Sequence, residues 1–190
     1  DRPAAVLLHL GPGLGNGLAN LHNARKGHTP VVNIVGDHAT YHKQYDAQLE
    51  SDIETVARNV STWIRTSASV EEVAADAADA VAVASGPPAQ IATLILPADV
   101  SWTEGATPAS PVAPAAPAAP DPAAIAAIAA VLQGDEPAAL FVGGRACRAD
   151  ALVDASRIAN TTGAKLLAET FPARIERGAG RVPVDRLAYL

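Results

Sequence analysis

Sulfur is nearly absent from this chain: Cys147 is the lone cysteine, and there is no methionine. One thiol excludes an internal disulfide framework and any cysteine-cluster metal site. Aromatic residues make up only 4% of the 190, so a core has to be built from Ala, Val, Leu and Ile, within a hydrophobic content of 49%. Positive charge is also in short supply. Lys and Arg number 14 against 20 Asp and Glu, a net charge of −6. That balance argues against nucleic acid and anionic membranes as partners, since both call for a basic surface. No apolar run approaches the ~20 residues of a membrane span, and no basic-then-apolar leader opens the chain. The expectation is a cytoplasmic protein with room for one ordinary domain or two small ones.

What is present alternates in type. The run Ala4-Ala5-Val6-Leu7-Leu8 ahead of Gly11-Pro12-Gly13 reads as a strand buried on both faces. Leu14, Leu18 and Leu21 mark a helix over 15–26, ended by Gly27. Pro30 to Gly36 is a second buried strand; a polar loop over 37–46 leads to a helix over 49–59 and a short strand around Trp63. Ser69-Val70-Glu71-Glu72 has the form of a capping box, and Val70, Val73, Ala77 and Val81 form the apolar stripe of the helix it opens. Ile91 to Leu96 is another buried strand. Strands alternating with helices imply an α/β fold, a parallel sheet with flanking helices.

Between Thr103 and Pro122 the composition changes. Pro108, Pro111, Pro114, Pro117, Pro120 and Pro122 are separated mainly by Ala, which favours extended polyproline backbone and forbids a helix. The stretch 103–122 therefore reads as a linker between units 1–102 and 123–190. The second unit opens with Asp121 as N-cap and Pro122 in the first turn, with Ile125, Ile128, Val131 and Leu132 as the expected buried stripe. Strand 138–142, the turn Gly143-Gly144-Arg145, a helix over 149–160 with Leu152, Ala155 and Ile158 inward, and strand 165–167 follow. This is the opening of a second, Rossmann-like α/β domain. A buried-type strand almost at the start and the partly apolar Leu187-Ala188-Tyr189-Leu190 at the end suggest a fragment of a longer protein.

Few residues carry obvious chemistry. All five histidines fall within the first 42 residues, and His38 with His42 has i, i+4 spacing beside Asp37, but no H-E-x-x-H arrangement accompanies them. Solvated histidines are the plainer reading, with no metal site. Cys147 has no activating neighbour and reads as structural. The sharpest feature is Leu8-His9-Leu10-Gly11-Pro12-Gly13-Leu14-Gly15-Asn16, a strand running into a Gly-rich turn and a helix, where α/β sheets bind ligands. Its spacing is G-x-G-x-G rather than the dinucleotide G-x-G-x-x-G. An NAD or adenine-nucleotide module on either Gly turn, with Asp37 as the ribose acid, stays open as the alternative function.

Those residues resemble the pyrimidine-binding domain of thiamine-diphosphate enzymes, the branch of acetolactate synthase, pyruvate oxidase and benzoylformate decarboxylase. The likeness runs through Gly11-Pro12-Gly13-x-x-Asn16, Pro30 to Gly36, Asp46-Ala47-Gln48-Leu49-Glu50-Ser51-Asp52-Ile53 and Ala92 to Val100; residues 123–170 resemble the start of the family's central domain. The acetolactate-synthase-like branch is the nearest. The resemblance implies thiamine diphosphate as cofactor, with Gly11, Pro12, Gly13 and Asn16 beside its pyrimidine ring and His9 as a proton-moving catalytic residue. It implies Mg2+ held by a further domain, leaves room for FAD in the central domain, and makes Glu50 and Asp52 interface residues. It also implies decarboxylation and carboligation of 2-oxo acids by a homodimer or tetramer, with this chain inactive alone for want of an upstream Glu and the diphosphate domain. Asp37 and Leu49 depart from the family's usual Gln at both positions, which bears on the substrate accepted.

Overall fold

The computed structural model describes residues 2–189 and divides them into two compact units between Pro117 and Ala118. Residues 103–121, which include that division, carry neither helix nor strand and are exposed throughout. The protein is an α/β fold of parallel sheets flanked by helices.

The first unit is built on β1 (Ala4–His9), β2 (Val31–Asp37), β3 (Trp63–Thr66) and β4 (Ile91–Pro97), all parallel in the order β1-β2-β4-β3. Helices α1 (Leu10–Lys26) and α2 (Ile53–Ala57) lie on one face. There Leu14, Leu21, Ile53 and Ala57 close over Val31, Val35, Ile91 and Ile95. On the other face α3 (Val73–Ser85) packs Ala80 and Ala84 against Val32 and Ala92. The short α4 (Ala98–Trp102) follows β4 directly. Central β2 and β4 are almost wholly buried, which is why their sequences read as unbroken apolar runs.

Several sequence expectations give way here. β1 is an edge strand, not one buried on both faces, and Leu7 is 75% exposed on the face that α3 leaves uncovered. Helix α1 begins at Leu10, five residues early, because Pro12 falls in the first turn, where a missing N–H costs nothing. The 49–59 helix shrinks to Ile53–Ala57, started by Asp52, whose carboxylate accepts from Thr55 N–H. The capping box forms only a turn: the Ser69 carbonyl, not its hydroxyl, accepts from Glu72 N–H, and α3 starts at Val73. The stripe of α3 also shifts. Val81 is exposed while Asp76, Ala80 and Ala84 face inward, since in an Ala-rich helix every face is apolar enough to be a candidate. Asp76 is tolerated inside because Arg65 and Ser67 both donate to it, at 2.8 Å each.

The second unit comprises α5 (Pro122–Leu132), β5 (Ala139–Val142), α6 (Ala149–Thr162), β6 (Lys165–Ala168) and β7 (Asp185–Arg186), with parallel strands ordered β5-β6-β7. Its small core is Cys147, Leu152, Ala168 and Val184. Asp121 caps α5 through Ala123 N–H, yet the expected stripe of that helix is not buried: Ile125, Ile128 and Val131 are all more than half exposed. Ile158 on α6 is likewise exposed, with Ala159 taking the inward position.

In the core of the first unit sits one polar pair. Asn33 Nδ2 donates to Thr93 Oγ1 at 3.2 Å across β2 and β4, and both residues are fully buried. Replacing one partner orphans the other, whereas replacing both removes the desolvation cost. Thr93→Val is therefore expected to lose about 1–3 kcal/mol by urea unfolding, and adding Asn33→Leu to recover a large part of it; additive losses in the double variant would contradict this reading of the pair.

Candidate functional site

The C-terminal ends of β1, β2 and β4 converge where parallel α/β sheets bind their ligands. At the end of β1 the chain turns straight into α1. His9, opposite Gly36 in the sheet, is the N-cap residue but makes no side-chain cap hydrogen bond, and it is exposed. Leu10 adopts φ of 57°, a left-handed conformation a leucine takes only at a cost. Its side chain is 4% exposed, so burial holds the strained turn in place.

Gly11 explains why the turn is glycine-rich. A Cβ there would lie 2.2 Å from both Cβ and Oγ of Ser51, so only glycine lets the start of α1 meet the 46–53 loop. Gly13 has room for ordinary contact with His9, and nothing lies within 4 Å of the Cβ position of Gly15. Pro12 and Asn16 are exposed on the first turns of α1. The structure thus brings His9, Gly11, Pro12, Gly13 and Asn16 together at one sheet end, with Ser51 and its neighbours beside them.

The 37–54 segment walls a cavity of about 580 Å³ whose lining includes Asp37, Lys43, Glu50, Ile53, Ile95 and Pro97. Lys43 organises it. Its ammonium is 2.6 Å from Asp37 Oδ2 and 2.9 Å from Glu50 Oε1. Burial pulls this lysine down, but hydrogen bonds to the two carboxylates outweigh that and hold its pKa above the ordinary value. The Asp37 side chain is 5% exposed and also accepts from His38 N–H. Its oxygens are committed, which disfavours a role as ribose acceptor. Glu50 Oε2 is buried without a partner among the described residues. Thr40 ties the loop to α4 by donating its backbone N–H and its hydroxyl to the two oxygens of Asp99.

Lys43 and Thr40 escaped the sequence reading, because their partners are fixed by the fold and no local pattern announces them. The only available signal was a charged segment straight after an apolar strand. Of the five histidines, His38 and His42 approach, with ring centroids 5.2 Å apart. Among the described residues no three His, Cys, Asp or Glu side chains gather to hold a metal ion. Ser51, against which Gly11 packs, lines the open cavity and so joins it to the glycine turn. In the second unit Cys147 is fully buried, and burial first, then Glu169, pushes its thiol up, so it stays protonated and structural. The Gly143-Gly144 turn is closed by Glu169, whose Oε1 accepts from Gly144 N–H at 2.8 Å.

Comparison with known proteins agrees with this geometry. Residues 1–57 match the model of the thiamine pyrophosphate enzyme N-terminal TPP binding domain. IlvX of Mycobacterium tuberculosis, provisionally named an acetolactate synthase large subunit, is 58% identical over 188 residues, covering 99% of this chain and 36% of that protein. Over residues 1–57 the chain is similar to the thiamine-diphosphate-dependent enzymes. A structure from Mycobacterium smegmatis, described as a candidate thiamin diphosphate-dependent enzyme, superimposes with a TM-score of 0.81 at 29% identity, over 90% of this chain and 34% of that one. Benzoylformate decarboxylase from Polynucleobacter necessarius gives 0.75 at 26% identity, over 88% and 32%. The chain spans about a third of the length of each of these relatives. Among the described residues no helix is long and apolar enough to cross a membrane.

The Thr40 clamp has a pH signature. Hydrogen bonds from the Thr40 hydroxyl, then its amide, hold the Asp99 carboxyl below the usual carboxylate range. A carboxyl lowered on folding contributes stability above its unfolded pKa of about 3.9, lost as pH falls through the folded value. Asp99→Ala is therefore expected to lower the urea midpoint at pH 7, with the deficit shrinking as the pH falls below about 3.9; a deficit that does not shrink with falling pH would show that the carboxylate is not what matters.

Proposed function

We propose that this chain forms the pyrimidine-binding part, and the beginning of the central domain, of a thiamine-diphosphate-dependent enzyme of acetolactate-synthase type acting on 2-oxo acids. The observation that carries the reading is the Gly11–Ser51 approach, which sets the glycine turn of α1 against the loop containing Asp46-Ala47 and Glu50-Ser51-Asp52-Ile53. Both segments carry the family resemblance, and they meet at the ligand-binding end of the sheet.

When bound, thiamine diphosphate supplies the carbanion and the electron sink that decarboxylation of a 2-oxo acid requires. The chain's own residues would do the positioning. Gly11 lets the first turn of α1 close onto Ser51, Pro12 and Asn16 stand exposed on the same turns, and His9 offers an exposed imidazole to pass a proton. Lys43, with Asp37 and Glu50, keeps the far wall of the cavity ordered. Mg2+ and the diphosphate would be held by a domain outside this chain, contributed by a second subunit, so this chain alone should not turn over. FAD in the second unit is less favoured, because Glu169 already occupies the Gly144 amide where a phosphate would bind. The same contact, with the commitment of Asp37 to Lys43, weighs against a nucleotide-binding module.

The test compares this chain with one extended at both ends to the length of its M. tuberculosis relative. Expected are thiamine-diphosphate- and Mg2+-dependent consumption of pyruvate by the extended chain only, and a fall in kcat of about 10²-fold on His9→Ala with unchanged cofactor affinity. Absence of both cofactor binding and turnover in the extended chain would refute the proposal, and normal turnover by the His9 variant would remove that residue from the chemistry.

A further inference from the structure

At the opposite end of the first sheet lies a second pocket, of about 450 Å³, where α1 ends and β3 and β4 begin. Arg25 and Lys26 reach it from the last turn of α1, and His28 from the connection to β2. Thr62 and Gln90 complete its polar wall, and Pro88 and Ala89 are its accessible apolar lining. No carboxylate lines it. On a chain of net charge −6 this is a local concentration of positive charge.

Arg25, Lys26 and the Gln90 amide give this pocket free donors. Among the described residues Arg25, Lys26 and His28 make no ion pair or side-chain hydrogen bond. The Thr62 hydroxyl donates to Gln90 Oε1, which leaves the Gln90 amide nitrogen as a further unengaged donor. The helix macrodipole accounts for two cations at the end of α1. It does not account for the imidazole, hydroxyl and amide gathered around the same space. His28 adopts φ of 48°, a left-handed conformation in which glycine would be unstrained. A histidine is kept there at some cost in backbone energy.

We propose that this pocket binds a phosphate ester, its dianion held by Arg25, Lys26, His28 and Gln90 and its organic part lying on Pro88 and Ala89. Arginine and lysine with neutral donors are the usual means of holding a phosphoryl group. The volume exceeds what a bare ion needs, and the apolar lining would be wasted on one. Seven residues of β4 separate this end of the sheet from the glycine-turn end, roughly 20 Å. A ligand here would therefore leave the candidate site open, and the proposal stands whether or not the thiamine-diphosphate reading does.

The test is titration of the whole chain with phenyl phosphate, inorganic phosphate and phenol, followed through backbone amide resonances. Expected is a saturable shift confined to residues 25–28, 62 and 89–91, tighter for phenyl phosphate than for inorganic phosphate and absent with phenol. Arg25→Gln with Lys26→Gln, exposed positions where Gln keeps the helix, should weaken it roughly tenfold or more. No saturable shift at these residues, or a shift of equal affinity in the double variant, would overturn the proposal. Equal affinity for the two phosphates would overturn its organic part.

Discussion

A side chain on Gly11 would collide with Ser51 at 2.2 Å, so the first turn of α1 and the loop before α2 share space that only a hydrogen can fill. Much of the first unit depends on that approach. It fixes where α1 starts, holds Leu10 in its left-handed turn under burial, and seats the 46–53 loop over the ends of β2 and β4. From there Glu50 reaches Lys43, and Lys43 reaches Asp37, so that three residues of one loop segment form one wall. The site is a consequence of close backbone packing before it is a collection of functional groups.

Charge shapes that wall as much as packing does. A lysine between two carboxylates leaves the cavity wall net negative, and Glu50 Oε2 remains buried without a partner among the described residues. Unsatisfied buried oxygens are costly, and chains retain them where a ligand or a mechanism uses them. The opposite end of the same sheet carries unpaired cations and neutral donors. One sheet thus presents an acidic end and a basic end, a polarity invisible in the net charge alone.

Much of this architecture was legible in the sequence. The apolar runs of β2 and β4 are buried on both faces and so stand out against any background. Gly11-Pro12-Gly13 stood out as a Gly-rich turn ahead of the helix, and the structure folds it into α1 itself. Alanine defeated the helix-face readings. In α3 and α5 nearly every position is apolar, so periodicity could not tell Ala80 and Ala84, which are buried, from Val81, or foresee that Ile125 and Ile128 stay exposed. Contacts such as Thr40 with Asp99 and Glu169 with Gly144 join segments 59 and 25 residues apart and leave no local trace.

The central claim is that the glycine turn of α1 and the 46–53 loop form one binding surface. Hydrogen–deuterium exchange of the extended chain, with and without thiamine diphosphate and Mg2+, tests it most directly. Slowed exchange at residues 11–16 together with 46–53 is the predicted result. Cofactor binding that leaves both segments unchanged, or that slows only residues 143–149, would contradict it.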